Sequence, residues 1–401
     1  MILVTGAGGK TGKAILNALL ARGSPVRGFV RSAAHEAALR AMGVRDIVAG
    51  EMDDHHALDQ ATRGAEAIYH ICPNVSPHEI SFAQALINSA TRSGVSRFVY
   101  HSVLHPQIEA MPHHWNKLRV EEMLFSSGLA VTILQPTAYM QNILAEWDRM
   151  VSSGIYRVPY PVETRLSLVD LEDIAEAAAA VLTNSRHSGA TYELVGTPPQ
   201  SQIEVAEIFG RALNKPVRAE AEPIESWEQR ARAAGMDDYS RETLIKMFGA
   251  YARDGLKGNP NVLGWLLGRP PTSLADFAAR IDIPGLRKQP AVYREVGPSY
   301  RGANPEGTKR WREIEEHSRQ SGAPDQPLRT PNTFAKIAAI PTPTLVIAAD
   351  ADLLAPPALM AIWAAHVKNH EWGVVPDAGH AVTWERPDLF NEKVLAFVGR
   401  H

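Results

Sequence analysis

The chain has 401 residues, of which 45% are hydrophobic and 21% charged, and its formal net charge is −3. The length suits two or three domains, and the composition is close to that of soluble globular proteins, which favours neither a disordered nor a fibrous chain. So small a net charge provides no overall field for nucleic acid or an anionic membrane, and we expect neither as a partner.

Cysteine usage and the first residues bear on the cellular compartment. The single cysteine, Cys72, excludes an intramolecular disulfide and a cysteine-based zinc site, which is typical of a reducing compartment. The residues from Met1 to Gly6 contain no basic region or cleavage site, and no apolar run is long enough to cross a bilayer. We therefore expect a cytoplasmic protein.

Short apolar runs alternate with longer amphipathic stretches through the first 200 residues. Strands are predicted near 2–5, 25–30, 45–49, 66–71, 97–101, 130–135 and 191–195. Helices are predicted near 11–22, 33–42, 55–63, 79–93, 116–127 and 171–184, and five of them are followed by a glycine: Gly23, Gly43, Gly64, Gly94 and Gly128. This alternation predicts an α/β fold, a Rossmann domain with a doubly wound parallel sheet over residues 1–200.

A glycine-rich turn joins the first strand to the first helix. Gly6 permits a tight turn, while Gly8 and Gly9 let the backbone approach a pyrophosphate. Gly12 allows the helix to pack closely on the sheet, and the helix N-terminus offers unpaired N–H groups to phosphates. Turns use glycine freely, so a purely structural turn is the alternative. The predicted cofactor-binding residues are Gly6, Gly8, Gly9, Lys10, Thr11 and Gly12.

Arg31 stands at the end of the second strand, where NAD-selective proteins carry an acid that holds the ribose hydroxyls. A guanidinium there can form a fork with a 2′-phosphate, which favours NADP(H); a solvated surface arginine is the alternative. Asp53 follows the third strand, where it would either meet the adenine amino group or serve as a surface or cap acid.

The character of the chain changes twice after residue 200. Residues 201–282 read as a small helical lobe without clear strands, with helices near 203–213, 225–235, 240–254 and 273–281. Residues 283–401 begin with a Pro- and Gly-rich stretch that contains a helix at 306–320. A short α/β pattern follows, with strands at 344–348 and 371–375 and helices near 356–367 and 387–398.

Residues 1–282 resemble the NmrA-like branch of the atypical short-chain dehydrogenases. The matching stretches are 5–12, PheValArg at 29–31, ArgPheValTyrHisSerVal at 97–103, LysLeuArgValGluGlu at 117–122 and ThrIleLeuGlnProThrAlaTyrMetGlnAsn at 132–142. The resemblance implies NADP(H) as cofactor. It also implies one of two activities, since the family contains NADPH-dependent reductases of quinones, phenylcoumaran-like and azo substrates, and non-catalytic NADP sensors that regulate transcription.

Lys117 matches the family's active-site lysine, which implies that it holds the nicotinamide ribose and lends charge to an oxyanion. Classical members place a tyrosine four residues earlier, and here that residue is His113. His113 would either transfer the proton instead or lie exposed before the helix. A plain helix-surface lysine is the alternative for Lys117.

The resemblance implies four further residues near the site. Ser102 follows the fifth strand and would either donate to a substrate carbonyl or cap the strand end. Pro73, Tyr139 and Asn142 lie on segments that border the nicotinamide or substrate in the family. The histidines lack the spacing and flanking acid of zinc hydrolases, so no metal site is predicted.

Residues 297–401 resemble the last part of an α/β-hydrolase. Asp352 and His380 match its acid and histidine, in AlaAspAlaAspLeuLeuAlaProPro at 349–357 and AspAlaGlyHisAla at 377–381. Gly-x-Ser-x-Gly occurs nowhere in the chain, so no acyl transfer is expected from this partial hydrolase-like segment. It would serve as an acid–base pair, or as an appendage that completes a core, covers the pocket or mediates a homodimer.

These features lead to one main prediction and two alternatives. The main prediction is an NADPH-dependent reductase of a small aromatic or conjugated carbonyl or quinone-type compound, in which Lys117 stabilises charge and His113 or water supplies the proton. The first alternative is a non-catalytic protein that senses NADP(H). The second is a lyase or hydrolase-type reaction that uses Asp352 and His380.

Overall fold

The computed structural model describes residues 1–213, 215–281, 292, 295–318, 337–352, 354–355 and 357–401. The predicted boundary at 282–283, the end of the helix predicted at 306–320 and the first residue of the helix predicted at 356–367 lie outside the described residues. By proximity in space the chain forms two compact units, one of Met1–Glu207 and Val217–Leu274, the other of Ile208–Pro216 and Ala275–His401.

The strands up to residue 221 are β1 (Ile2–Val4), β2 (Val26–Val30), β3 (Asp46–Ala49), β4 (Ala67–His70), β5 (Arg97–His101), β6 (Val131–Pro136), β7 (Ala138–Tyr139), β8 (Ile155–Val158), β9 (Arg165–Leu166), β10 (Leu168–Val169), β11 (Thr191–Leu194), β12 (Gln200–Ser201) and β13 (Arg218–Ala221). The helices are α1 (Lys10–Ala21), α2 (Ala33–Ala41), α3 (His55–Thr62), α4 (Glu79–Arg92), α5 (Pro112–Phe125), α6 (Trp147–Ser153), α7 (Leu171–Leu182), α8 (Gln202–Ala212), α9 (Ile224–Ala233), α10 (Asp238–Asp254), α11 (Asn261–Leu267) and α12 (Leu274–Ala279). Two 3₁₀ helices lie at Met140–Glu146 and Ser185–His187.

Seven strands form one parallel sheet in the order β11-β6-β5-β4-β1-β2-β3. Helices α1, α2 and α7 pack on one face through residues such as Ile15, Leu39 and Ile174. Helices α3, α4 and α5 pack on the other face. Both faces are covered, which explains why the inner strands β1, β4, β5 and β6 are mainly apolar and buried. The predicted Rossmann sheet is confirmed, and its chain order reverses between β1 and β4, where such sheets bind ligands.

All seven predicted strands of this sheet are present within two residues of their predicted ends. The five glycines predicted to end helices each have a positive φ, from 67° at Gly94 to 93° at Gly43. Helix α5 begins at Pro112, four residues earlier than predicted, because proline suits the first helical position and needs no hydrogen-bond partner there. As a result His113 lies inside the first turn of α5, and the expectation that it precedes the helix was wrong.

Short strand pairs complete the first unit. β13 pairs with β8 in parallel, β12 with β9 in antiparallel, and β10 with β7 in parallel. The prediction of helices without strands after residue 200 was therefore wrong at Arg218–Ala221. This run alternates charged residues with alanine, and both glutamate and alanine are depleted in strands. It is extended because it pairs with β8.

The second unit contains a small α/β motif. Strands β14 (Thr344–Ala349) and β15 (His370–Val375) pair in parallel and are joined through α15 (Pro357–Ala365). Its other helices are α13 (Pro298–Ala303), α14 (Pro305–Ser318), α16 (Val382–Glu385) and α17 (Pro387–Val398). Two strands bury little, and Trp372 on β15 remains 39% exposed. Among the described residues of the whole chain, none of the helices has the length and apolarity to cross a bilayer.

Candidate active site

The glycine-rich turn leaves β1 at Val4 and enters α1 at Lys10. Gly6 has φ +59°, and a Cβ there would lie 2.7 Å from Ile71 Cγ2, so only glycine fits. A Cβ at Gly12 would lie 2.4 Å from the Gly6 carbonyl oxygen. The N-cap residue of α1 is Gly9, which has no side chain to accept from the first-turn N–H groups. These groups are therefore available to an anion at the positive end of the helix.

Arg31 follows the last residue of β2 and is exposed, and in the part of the chain that the structure describes its guanidinium has no hydrogen-bond or ion-pair partner. The neighbouring Ser32 accepts from His35 N–H as the N-cap of α2. The ring of His35 lies beside Gly8, since a Cβ at Gly8 would be 2.6 Å from His35 Cγ. The end of β2 and the glycine-rich turn thus lie together, with an unpaired cation at their side.

Asp53 is exposed on the loop after β3. The acid that caps α3 is the next residue, Asp54, whose carboxylate accepts from His56 N–H at 3.0 Å and Ala57 N–H at 3.1 Å. The expectation that Asp53 serves as a helix cap is therefore wrong, and its proximity to adenine stays a prediction.

Lys117 lies on α5 and is only 4% exposed, so it is not a plain surface lysine. Its Nζ donates to Glu79 Oε1 and to the His101 carbonyl oxygen, both at 3.0 Å. Tyr100 also donates to Glu79 Oε1, at 2.7 Å. Burial by itself would raise the pKa of Glu79, but the charge of Lys117 and the hydrogen bonds from Tyr100 and Lys117 outweigh it and lower that pKa. Glu79 therefore stays ionised inside the fold.

Glu79 was not predicted from the sequence, although a signal for it exists. The buried residues of α4 include Glu79, Ala83, Leu86 and Ala90, which are spaced by four, three and four positions. This spacing is that of a helix face that points to a core. A carboxylate in the first position of such a face requires a cationic partner, and Lys117 is the cation it meets.

His113 lies half-buried in the first turn of α5, one turn before Lys117. Burial, and then the charge of Lys117, lower the pKa of His113 to about 3. At neutral pH its ring is uncharged and holds no readily released proton. The lowered pKa does not favour His113 as a general acid.

Ser102 is buried after β5, and its hydroxyl donates to Glu121 Oε1. Gln135 Nε2 donates to the same carboxylate, at 2.9 Å from Oε1 and 3.1 Å from Oε2. Together these hydrogen bonds connect the end of β5 with α5 and β6. It leaves the Ser102 side chain in the protein interior and not facing an open cleft.

The structure brings Lys10, Thr11, Tyr139 and Asn142 together at the N-terminus of α1. Lys10 Nζ donates to Asn142 Oδ1 at 3.0 Å and lies 5.5 Å from the centroid of the Tyr139 ring. The Tyr139 hydroxyl interacts with the side chain of Thr11 in the first turn of α1. Partial burial lowers the pKa of Lys10. The carboxyl end of β1 and the segment after β6 therefore form one cluster of hydrogen-bonding groups.

Pro73 is half-buried just after β4, beside the buried Cys72. Burial and the nearby Glu79 carboxylate raise the pKa of the Cys72 thiol, which is therefore protonated and unreactive at neutral pH. Among the described residues, no group of three or more His, Cys, Asp or Glu side chains is arranged to hold a metal ion.

Asp352 and His380 form a hydrogen bond within the second unit. His380 Nδ1 lies 2.9 Å from Asp352 Oδ2, while Asp352 Oδ1 accepts from the Leu354 and Ala355 N–H groups. The hydrogen bond to Asp352 raises the pKa of His380, whose side chain is 48% exposed. The two residues are thus paired in the manner that the resemblance implied.

Comparison with known proteins supports the interpretation of the first unit. The model of the NmrA-like family matches residues 1–275. The chain belongs to the NmrA-like family. An NAD(P)H azoreductase of Xenophilus azovorans is 30% identical over 283 residues, which cover 69% of this chain and 96% of the relative.

Two solved structures have the same fold. The NADPH-dependent quinone oxidoreductase of Escherichia coli, complexed with NADPH, is 25% identical with a TM-score of 0.63, and the match covers 70% of this chain and 99% of that one. The negative transcriptional regulator Nmra, in complex with NAD, has a TM-score of 0.60 at 18% identity, covering 70% of this chain and 94% of its own. The second likeness concerns the fold alone.

Proposed function

We propose that the chain is an NADPH-dependent reductase of small conjugated acceptors such as quinones and azo compounds. The observation that carries this proposal is the uncapped N-terminus of α1, closed in by Gly6 and Gly12, with the unpaired Arg31 guanidinium at the end of β2. The azoreductase and quinone oxidoreductase relatives support the same cofactor and reaction class.

The residues fit this cofactor because each charged part of it meets a matching group. The first-turn N–H groups of α1 and the Lys10 ammonium would hold the diphosphate, and Arg31 would hold the 2′-phosphate. When bound, the reduced nicotinamide supplies a hydride to the acceptor. No acid stands at position 31 to hold the two ribose hydroxyls of NAD, which favours NADPH.

Lys117 has a positioning role in this proposal. Its ammonium has three N–H donors, and Glu79 and the His101 carbonyl oxygen take two of them. The third donor remains for a ribose hydroxyl or for negative charge that develops on the acceptor. Because Glu79 neutralises the ammonium, Lys117 acts mainly through this directed hydrogen bond.

The decisive experiment reverses the charge at position 31. Arg31→Glu is expected to weaken NADPH binding by about 10- to 100-fold, the range for loss of a charge-assisted hydrogen bond. NADH binding should not weaken and should tighten if the new carboxylate accepts from the ribose hydroxyls. Arg45→Glu is the matched control. Arg45 is also exposed, but it precedes β3 and so lies at the amino ends of the parallel strands, whereas Arg31 lies at their carboxyl ends. Equal effects of the two substitutions on both cofactors would contradict the proposal.

A second candidate function is a binding protein that senses NADP(H) without turnover. Two observations favour it: His113 is uncharged, and the Ser102 hydroxyl is held by Glu121. NADPH oxidation with a panel of quinones, azo dyes and enones separates the candidates, because a sensor binds NADPH without oxidising it. Turnover that survives Lys117→Ala but not His380→Ala would instead assign the chemistry to Asp352 and His380.

A further inference from the structure

A line of three hydrogen-bonded side chains runs from the core of the sheet to the N-terminus of α1. The Tyr69 hydroxyl, on β4, is hydrogen-bonded to Nδ1 of His101 at the end of β5. His101 Nε2 lies 2.5 Å from the hydroxyl oxygen of Tyr139. Tyr69 is fully buried, His101 is 4% exposed and Tyr139 is half-buried. Only the Tyr139 end of the line therefore approaches the proposed cofactor site.

The protonation state of His101 determines which group donates and which accepts in each hydrogen bond of this line. Burial lowers the pKa of His101 to about 3, so at neutral pH its ring carries one proton, on Nδ1 or on Nε2. If the proton were on Nδ1, it would point at Tyr69, and the Tyr69 O–H would need another acceptor. In the part of the chain that the structure describes, Tyr69 Oη has no other hydrogen-bond partner.

A buried O–H without an acceptor is costly, whereas the opposite arrangement leaves no group unsatisfied. In that arrangement Tyr69 donates to Nδ1, and the ring proton is on Nε2 and is donated to the Tyr139 oxygen. The Tyr139 oxygen then accepts from His101 inside the protein, and its own O–H is directed toward the N-terminus of α1, where the Thr11 side chain is its neighbour. His101 and Tyr69 thereby make Tyr139 a hydrogen-bond donor at the N-terminus of α1.

We propose that the Tyr139 hydroxyl donates a hydrogen bond to the cofactor diphosphate, and that His101 and Tyr69 are positioning residues that fix this direction. The inference rests on the proposed function. Its support is the surroundings of the Tyr139 hydroxyl: the Thr11 side chain in the first turn of α1 and the Lys10 ammonium 5.5 Å from its ring. Both neighbours belong to the end of the helix that attracts anions.

The position of the ring proton can be measured without any ligand. In protein labelled with ¹⁵N-histidine, the nitrogen chemical shifts of His101 are expected to show a proton on Nε2 at pH 7. In Tyr69→Phe the donor to Nδ1 is lost, and the two tautomers are expected to become mixed. A proton on Nδ1 in the unmodified protein would overturn the inference whatever the cofactor proves to be.

Binding measurements test the diphosphate contact. Tyr139→Phe is expected to weaken the binding of NADPH and of 2′-phospho-ADP-ribose about equally, by roughly 10- to 100-fold. Tyr69→Phe should weaken both by a smaller factor. Neither change should affect adenosine 2′-monophosphate, which has no diphosphate. The control is Tyr192→Phe, which removes another tyrosine–histidine hydrogen bond, to His187, and should change none of these affinities.

Three outcomes would overturn the inference. If Tyr139→Phe bound NADPH as tightly as the unmodified protein but turned over more slowly, Tyr139 would serve the reaction and not the diphosphate. Equal weakening of adenosine 2′-monophosphate would mean that the substitution disturbs the whole site. If the unmodified protein bound neither NADPH nor NADH, the proposed function would be refuted as well. This outcome is distinguishable from failure of the inference alone, because it is seen in the unmodified protein.

Discussion

Gly12 leaves no space for a side chain between α1 and the turn before it. A Cβ at this position would lie 2.4 Å from the Gly6 carbonyl oxygen and 2.7 Å from Ala7 Cα. Both are backbone atoms, which cannot rotate away as the end of a long side chain can. The contact therefore determines how closely α1 approaches the turn, and with it the direction of the first-turn N–H groups.

Gly12→Ala is predicted to lower both thermal stability and affinity for NADPH, the latter by at least about tenfold, because the added methyl group pushes α1 away from the turn. Gly249→Ala is the matched control: Gly249 lies in α10, and a Cβ there would meet no atom within 4 Å. This control should gain up to about 1 kcal/mol of stability from helix propensity. Thermal unfolding and NADPH titration of both variants check the prediction, which fails if Gly12→Ala behaves like the control.

The sequence allows a prediction of residue identity where the backbone itself forms the proposed site. The glycines of the turn and Arg31 follow directly from strand ends and turn geometry. Glu79 and His101 were not predicted as members of the site, because their partners are distant along the chain. Glu79 meets Lys117 at a separation of 38 residues, and His101 meets Tyr69 at a separation of 32. No local pattern contains both members of such a pair.

At the scale of elements, a buried ion pair links α4, α5 and β5. Lys117 on α5 contacts Glu79 at the start of α4 and the His101 carbonyl oxygen at the end of β5. The Lys117 and Glu79 side chains are 5% and 0% exposed. Removing one charge leaves the other buried without compensation, which costs more than the pair contributes.

Glu79→Gln is predicted to destabilise the first unit by about 3–5 kcal/mol, because it leaves the Lys117 ammonium unpaired. Glu79→Gln combined with Lys117→Met should recover most of this loss, since no buried charge remains. Glu36→Gln, which removes the exposed pair with Arg40 on α2, should cost less than about 0.5 kcal/mol. Urea unfolding checks these values, and a double variant no more stable than Glu79→Gln would contradict the explanation.

Elements were predictable in proportion to their length and burial. The seven strands of the main sheet have apolar runs that show their positions, and they were predicted closely. The pairs β7 with β10 and β9 with β12 have two residues in each strand, too few to form a pattern. In the second unit, the strands predicted at 344–348 and 371–375 correspond to β14 and β15, which have six residues each. Most of β14 is apolar, whereas β15 begins with His370 and Glu371 and becomes apolar only toward its end.

At the scale of the whole molecule, the first unit buries several uncharged histidines. Burial lowers the pKa of His70 and His114 to about 4, and that of His101 and His113 to about 3, from an ordinary value of 6.5. The unfolded chain therefore binds protons below pH 6.5 that the folded chain does not bind. Stability from these groups is complete above pH 6.5, declines below that pH, and is fully lost once the pH has fallen through 4 and 3.

His114→Gln is predicted to reduce the pH dependence of stability by up to about 1.4 kcal/mol per pH unit between pH 4 and 6.5, the slope for one proton. Glutamine retains a donor for the His105 carbonyl oxygen, 3.3 Å from His114 Nδ1. The measurement is urea unfolding at several pH values. His55→Gln replaces an exposed histidine on α3 and should leave the slope unchanged; a slope unaltered in His114→Gln as well would refute the assignment.

The glycines that end the helices lie at the amino ends of the parallel strands, whereas the glycine-rich turn lies at their carboxyl ends. A Cβ at Gly64, Gly94 or Gly128 would meet no atom within 4 Å, so these connections border open space. A fluorescent reporter spliced into one of them would be remote from the proposed cofactor site while remaining attached to a strand whose carboxyl end lies on the side of that site. The fold thus offers attachment points for a genetically encoded sensor of cellular reducing power.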